Sequence, residues 1–246
     1  MQEIDLTKSK DVIGAYNSID FSYERKTYTD YGTQYCFNVL DGKIVAGYNI
    51  QLACFRHLRD LQRQGDEDFP YVYSIEAFNR FLKFLSLVPN VDDLSQKLEP
   101  MDWQYFIFAQ LFAWFDLDDV PRFSNIIISI ARSQGKTMIA GICLNFSYLI
   151  EIIGQSNQDF LVSSLNFDQT MKLFTYVKSM MARIIENEPF KSLAEETQVQ
   201  LYSREIKSLV DANTIHTISF ESGKFDGKHF KLAVADEVGE LRTDEG

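Results

Sequence analysis

Apolar side chains recur every three to four residues in several parts of the chain, the spacing that places them on one face of a helix. This pattern begins at Gln51 and again at Ser74, whose hydroxyl is suited to cap a helix. The predicted helices begin at 51, run from 74 to 88, and cover 101–115, Met138–Ile153 and Asn166–Ile185. Tyr28–Val45 is rich in Tyr, Thr and Phe and is interrupted by two glycines, so an extended segment or a hairpin is expected there.

Short β-branched runs follow the first helices and predict strands, of which Ser124–Ile130 and Lys231–Ala235 are expected to be buried. These runs are Ser124–Ile130, Asp159–Ser163, Val199–Tyr202, Ile206–Val210, Thr214–Phe220 and Lys231–Ala235. Because strands and helices alternate, the pattern favours an α/β fold with a mainly parallel central sheet flanked by helices. Residues 90–100 are polar and resemble a linker, so we expect a mostly helical N-terminal subdomain over residues 1–98 and a second domain over residues 99–246.

Composition narrows the classes of protein that the chain can represent. Apolar residues make up 46% of the 246 residues, enough for a large core, which argues against general disorder. The net charge of −11 argues against a protein that coats DNA nonspecifically. The three cysteines are widely spaced, and neither a signal peptide nor a membrane-spanning run is visible. Cys54 and His57 have the spacing of half a zinc site, but without a second pair they are interpreted as two positions on one helix face.

The strongest chemical signal lies between the predicted strand Ser124–Ile130 and the following helix. It reads Ala-Arg-Ser-Gln-Gly-Lys-Thr over residues 131–137 and ends like a phosphate-binding loop (P-loop). In such a loop, backbone N–H groups and a helix N-terminus bind phosphate oxygens, while Lys136 would reach the β- and γ-phosphates and Thr137 would bind Mg²⁺. Ile130 occupies the place of the usual leading glycine, so an ordinary turn between strand and helix is the alternative interpretation.

A second signal closes the last predicted strand, where Asp236 and Glu237 follow the apolar run Leu232–Ala235. In P-loop ATPases, the first such carboxylate serves Mg²⁺ and the second polarises the attacking water. An acidic turn is the alternative, because a chain with 35 acidic residues contains such pairs by chance. The position of the pair, about 100 residues after the loop, favours the catalytic interpretation.

Three weaker candidates accompany these motifs. Gln104, next to Trp103, has an amide that can pair with the edge of adenine, although a water-facing glutamine is the simpler interpretation of that residue alone. Arg132 can place a fixed positive charge beside a γ-phosphate, or it is a surface arginine bonded to a loop carbonyl. A local cationic cluster precedes the acidic pair and is a weak candidate for DNA binding, with a solvated loop as the alternative. It comprises Lys224, Lys228 and Lys231.

Together these motifs resemble the large terminase subunit of tailed bacteriophages. The resemblance covers most of the chain, and the loop of that family also lacks the leading glycine. The matching segments are Ala53–Leu61, Trp103–Ile107, Leu111–Trp114, Pro121–Phe123, Ala131–Thr137, Leu165–Gln169 and Asp236-Glu237.

The resemblance implies a P-loop ATPase with ATP and Mg²⁺ as cofactors. Gln104, beside Trp103, would contact adenine, and Lys136 would be central to phosphate binding. Arg132 would sense or stabilise the γ-phosphate, Thr137 and Asp236 would serve Mg²⁺, and Glu237 would be the catalytic carboxylate. The phosphate-binding residues implied are Arg132, Ser133, Gln134, Gly135, Lys136 and Thr137.

The resemblance also implies partners and a place of action. Double-stranded DNA, the portal of the procapsid, the small terminase subunit and further copies in a ring are expected, in the host cytoplasm and without a membrane. A member of the family continues with a coupling motif and a nuclease domain. We therefore expect an N-terminal fragment of the motor, without nuclease activity.

Two other classes of function remain open from the sequence. One is another P-loop enzyme, such as a helicase-like remodeller or a small kinase, although no arginine cluster typical of a kinase lid is visible. The other is a catalytically weak assembly module, in which the aromatic-rich helices of residues 50–115 dock onto another protein.

Overall fold

The computed structural model describes residues 6, 10–90, 93, 96–222 and 229–238. The chain divides into two compact units. Unit 1 comprises Met1–Leu82 and Pro100–Ile127, and unit 2 comprises Lys83–Glu99 and Ile128–Gly246. Among the described residues, no helix combines the length and apolar character needed to cross a bilayer.

Unit 1 consists mainly of helices. Its elements are α1 (Val12–Asn17), α2 (Ser22–Thr27), α3 (Tyr31–Leu40), α4 (Tyr48–Arg63), β1 (Tyr71–Tyr73), most of α5 (Ile75–Leu85), α6 (Asp102–Phe112) and β2 (Trp114–Asp116). The predicted capping residue of α5 is confirmed, because the Ser74 hydroxyl accepts a hydrogen bond from the Ala77 N–H at 3.0 Å. The predicted helix over 101–115 ends earlier than expected, and its last residues form β2, which pairs antiparallel with β1.

The expectation of an extended segment or hairpin at Tyr28–Val45 was wrong, since most of it is α3. Asp30 caps this helix by accepting the Thr33 N–H at 2.9 Å. Gly32 permits a close approach to α6, because a Cβ atom at that position would stand only 2.5 Å from Ala109 Cβ. The glycine that suggested a break is therefore a packing position inside a helix.

Unit 2 contains a five-stranded sheet and the helices around it. Its elements are the end of α5, α7 (Lys136–Phe146), a π-helical turn (Ser147–Glu151), β3 (Asp159–Ser163), α8 (Phe167–Ile184), α9 (Phe190–Thr197), β4 (Val199–Leu201), β5 (Glu205–Ser208), β6 (Thr214–Thr217), a 3₁₀ turn (Phe220–Ser222) and β7 (Leu232–Ala235). The strand order is β4-β5-β6-β3-β7. The predicted helix Met138–Ile153 is therefore divided between α7 and the π-helical turn.

The sheet is mixed, which corrects the expectation of a mainly parallel one. β3 pairs in parallel with β6 and β7, whereas β5 pairs antiparallel with both β4 and β6. The short connections 202–204 and 209–213 explain this difference, because a parallel crossover needs a dozen or more residues. The α/β class itself is confirmed.

The core of unit 2 lies between the sheet and the paired helices α7 and α8. Phe160, Val162, Ile206 and Ile215 are fully buried on the sheet. α8 presents an apolar stripe at helical spacing, comprising Leu173, Phe174, Val177, Met180, Met181 and Ile184. Asn145 of α7 donates to the Val177 carbonyl of α8 at 3.2 Å, which fixes the two helices to each other.

The predicted strand Ser124–Ile130 is wrong, because this run has no regular secondary structure. Within the described part of the chain it pairs with no strand, and both sides of β3 are occupied, by β6 and β7. Ile127 is 89% exposed. An apolar β-branched run forms a strand only where a partner supplies hydrogen bonds, and no described strand does so.

Candidate functional site

The loop over residues 130–137 leads directly into the first turn of α7. Gly135 precedes the helix with a left-handed φ of 80°, a conformation that glycine adopts without steric cost. Ser133 also has a positive φ, of 60°. These two residues turn the backbone sharply, so that α7 begins at Lys136 and its unpaired N–H groups lie next to the loop.

Lys136 closes the loop on itself. Its ammonium donates to the carbonyl oxygen of Ile130 at 3.0 Å. An ammonium has three N–H donors, so this bond leaves capacity for an anionic ligand. The sequence did not indicate that the Ile130 carbonyl would hold the lysine in place.

Asp236 follows β7 and faces the first turn of α7. Its Oδ2 accepts a hydrogen bond from Thr137 Oγ1 at 3.3 Å, across 99 positions of sequence. Its Oδ1 accepts the N–H of Glu237 at 2.9 Å. The two predicted Mg²⁺-binding residues are therefore adjacent, with oxygen atoms that suit a hard cation.

Two buried serines at the end of β3 hold the backbone of Asp236. The Asp236 N–H donates to the Ser163 carbonyl at 3.1 Å, and Ser164 Oγ donates to the Asp236 carbonyl at 3.1 Å. Both serines are almost completely buried. No short motif marks the two serines, although two polar residues at the end of an apolar strand are a recognisable signal.

Glu237 is exposed and has a left-handed φ of 58°. Such a conformation is uncommon for a residue with a Cβ and is frequent at functional sites. Arg132 is also exposed, at the start of the loop, and Gln134 is half-buried. The nearest thiol in the sequence, Cys143 of α7, is buried, and this burial raises the pKa of the thiol, which disfavours the nucleophilic thiolate.

The remaining candidates lie apart from the loop along the chain. Gln104, in unit 1, is buried, and its Oε1 accepts the Met101 N–H at 2.9 Å at the start of α6. Trp103 Nε1 lies 3.3 Å from Met101 Sδ. Lys231 precedes β7 and is hydrogen-bonded through its N–H to Asp159 at 2.8 Å, so it lies at the end of the sheet opposite to Asp236. Lys224 and Lys228 lie outside the described residues.

Comparisons with known proteins identify the family and support the fold. The family model "Terminase large subunit, ATPase domain" matches residues 102–246. Comparison with curated protein sequences finds no match. The crystal structure of the HK97 bacteriophage large terminase aligns with a TM-score of 0.50 and 20% sequence identity, covering 68% of this chain and 33% of that one. The chain therefore spans about a third of the length of that structure, and the likeness supports the fold.

Proposed function

Because this chain belongs to the terminase large subunit ATPase domain family, we propose that it hydrolyses Mg²⁺-bound ATP at the loop 131–137 and that this reaction drives double-stranded DNA into a viral procapsid. The observation that carries the proposal is the contact between Thr137 and Asp236. It joins the end of the loop to the acidic residues that follow β7. These are the two parts that hold nucleotide and metal in P-loop ATPases.

The triphosphate would be bound by backbone and lysine together. The N–H groups at the start of α7 and the positive end of its helix dipole favour an anion at this position. Lys136 would add a point charge while keeping its bond to the Ile130 carbonyl. Ser133, Gln134 and Gly135 would enclose the phosphates through their backbone, and Arg132 would extend from the exposed start of the loop toward the γ-phosphate.

The donor set fits Mg²⁺, because the Thr137 hydroxyl and the Asp236 carboxylate are both oxygen ligands. When bound, Mg²⁺ neutralises charge that develops on the phosphate oxygens. Thr137 and Asp236 would hold it, and the bonds from Ser163 and Ser164 would keep Asp236 in position. Glu237, next in the chain, would accept a proton from the attacking water as general base.

Recognition of the base is proposed for Gln104 and Trp103. The carboxamide oxygen of Gln104 already bonds the Met101 N–H, so its contact with adenine would use the Nε2 end of the amide. The half-buried Trp103 would offer an indole face for stacking. Both assignments rest on the sequence motif.

The wider function follows from the family. We propose that the whole protein acts with double-stranded DNA, the portal of the procapsid and a small terminase subunit, and that copies form a ring during packaging in the host cytoplasm. Lys224, Lys228 and Lys231 remain proposed DNA contacts.

Phosphate release from ATP tests the proposal. The wild-type chain should hydrolyse ATP with Mg²⁺ and stop when EDTA is added. Glu237→Gln should lower turnover by about 10²–10⁴-fold while nucleotide affinity is retained, because it removes the base and no phosphate contact. Lys136→Ala should lose binding as well. Glu196→Gln, the same change at an exposed position of α9, is the control and should match wild type. Turnover unaffected by both site variants would contradict the proposal.

A further inference from the structure

The turn between β4 and β5 lies near the carboxyl ends of the parallel strands β6, β3 and β7, as does Asp236. β5 begins at Glu205 opposite His216, near the carboxyl end of β6, and β6 runs parallel to β3 and β7. Thr217 Oγ1 donates to the Arg204 carbonyl at 2.7 Å, which fixes the turn to the end of β6. Neighbouring strands lie about 4.8 Å apart, so β5 stands about 14 Å from β7. The turn is therefore separate from the nucleotide site but lies at the same ends of the strands.

This turn carries cations and aromatic rings together. The Arg204 guanidinium lies over the Phe167 ring, 5.0 Å from its centre, and Lys178 Nζ donates to the Tyr202 carbonyl at 2.9 Å. Tyr202 is 45% exposed and Phe167 42% exposed. We name this group, comprising Phe167, Lys178 and residues 202–204, the Arg204 turn.

The two cations of the Arg204 turn lack the carboxylate partners that several arginines of the protein have. Arg25, Arg122 and Arg183 each form an ion pair with a carboxylate. In the described parts of the chain, neither Arg204 nor Lys178 has a carboxylate within ion-pair distance. In a protein with 35 acidic and 24 basic residues, cations that stay unpaired are available for an external anion.

Hydrogen bonds connect the Arg204 turn to Asp236. The Asp236 N–H donates to the Ser163 carbonyl, and Ser163 Oγ donates to the Ile218 carbonyl at 2.7 Å. Ile218 follows Thr217, which bonds Arg204. The path starts at the buried Ser163 of β3 and crosses to the end of β6, so a displacement of Asp236 during hydrolysis would reach the turn.

Resting on the proposed function, we propose that the Arg204 turn binds the phosphate backbone of double-stranded DNA and that the path through Ser163 and Thr217 couples this contact to the nucleotide site. Arg204 and Lys178 supply charge, and the exposed rings of Phe167 and Tyr202 shield these contacts from water. Phosphate contacts position a protein on DNA without reading its sequence, which suits a translocating motor.

Binding of a fluorescent duplex by the full chain, measured by anisotropy over a range of salt concentrations, tests the contact. The double variant Arg204→Ala/Lys178→Gln should bind about tenfold more weakly, and the slope of log affinity against log salt should fall by about two, roughly one unit per phosphate contact. ATP turnover without DNA should stay unchanged. Arg183→Ala, at the other end of α8, removes a paired charge and should bind as wild type does.

Unchanged affinity and salt slope in the double variant, or no duplex binding by the wild-type chain, would overturn the proposal. Loss of DNA-free turnover that depends on protein concentration would also overturn it, because the turn would then contact the nucleotide of a second copy. Failure of the proposed function is distinguishable: a wild-type chain without hydrolysis refutes the ATPase, whereas a hydrolysing chain with a normally binding double variant refutes only the DNA contact.

The coupling has its own test. Thr217→Val removes the hydroxyl that holds the Arg204 carbonyl and keeps the size of the side chain. Duplex affinity and DNA-free turnover should remain as in wild type, while stimulation of turnover by DNA should fall at least threefold. Thr175→Val removes a similar bond on the surface of α8 and is the matched control. Equal stimulation in the two variants would contradict coupling through Thr217.

Discussion

Thr137 donates a hydrogen bond to Asp236 over 3.3 Å, although 99 positions separate the two residues. One belongs to the first turn of α7 and the other follows β7, so their contact depends on the fold of unit 2. Asp236 is held at its N–H and at its carbonyl by the end of β3. The relationship is therefore built by the sheet of unit 2.

The Thr137 hydroxyl should matter for nucleotide affinity only when Mg²⁺ is present. Thr137→Val should weaken Mg·ATP-analogue binding about tenfold and leave metal-free binding unchanged, because the variant loses an oxygen ligand and no phosphate contact. Fluorescence titration with and without EDTA measures both affinities. Thr137→Ser retains the hydroxyl and should behave as wild type. An equal loss with and without Mg²⁺ would show that the residue does not serve the metal.

Gly135 should resist replacement, because its φ of 80° is unfavourable for a residue with a Cβ. Gly135→Ala should lower the free energy of unfolding by about 1–2 kcal/mol and weaken nucleotide binding. Gly141→Ala in the same helix is the matched control. Its added Cβ would meet Met180 Cε at 3.5 Å, an ordinary contact, and should stabilise the chain by about 0.5–1 kcal/mol. Urea unfolding compares the two, and equal effects would refute the role of the left-handed turn.

His57 should make unit 1 sensitive to acid. Burial, followed by the charges of Arg56 and Arg122, lowers the pKa of His57 from 6.5 to about 3. Below pH 6.5 His57 therefore binds a proton in the unfolded chain, whereas in the folded chain it binds one only near pH 3. The free energy of unfolding should fall with pH across this window, by at most about 1.4 kcal/mol per pH unit.

Unfolding of the His57→Gln variant at several pH values tests this prediction. Glutamine keeps hydrogen-bonding capacity toward Thr33 and Gln110, which bond the two ring nitrogens at 3.0 Å, and it cannot titrate. Between pH 6.5 and 3, the free energy of unfolding of the variant should depend less steeply on pH, by the contribution of about one proton. An identical slope in the variant and in the wild type would contradict the assignment.

Local patterns predicted the elements that lie at the centre of unit 2. β3 coincides with its predicted range, and α8 differs from its prediction by a single residue at each end. α8 has one dominant periodicity and a clear start signal in Asn166, which caps the helix through the Gln169 N–H, whereas β3 is a short continuous buried run. The residues at the loop and at the acidic strand end were also predicted, because their chemistry depends on short motifs.

The misinterpreted segments depend on contacts that a local pattern does not contain. Ser124–Ile130 has strand composition and no described partner strand. β5 runs antiparallel because its connections are short. The alternation of strands and helices had instead favoured a parallel sheet. Ser163 and Ser164 gain their role only because β3 lies next to β7. Pairing between distant segments determines the first and the last of these features.

The central claim is that Lys136 and Asp236 act on one Mg²⁺-bound triphosphate. A double-mutant cycle with Lys136→Ala and Asp236→Asn tests it most directly, with the affinity for a non-hydrolysable Mg·ATP analogue as the readout. We predict a coupling energy of about 1 kcal/mol or more, because a triphosphate released from the lysine no longer presents its metal to the carboxylate. We also predict that EDTA abolishes the coupling. Losses that simply add, with or without Mg²⁺, would contradict the claim.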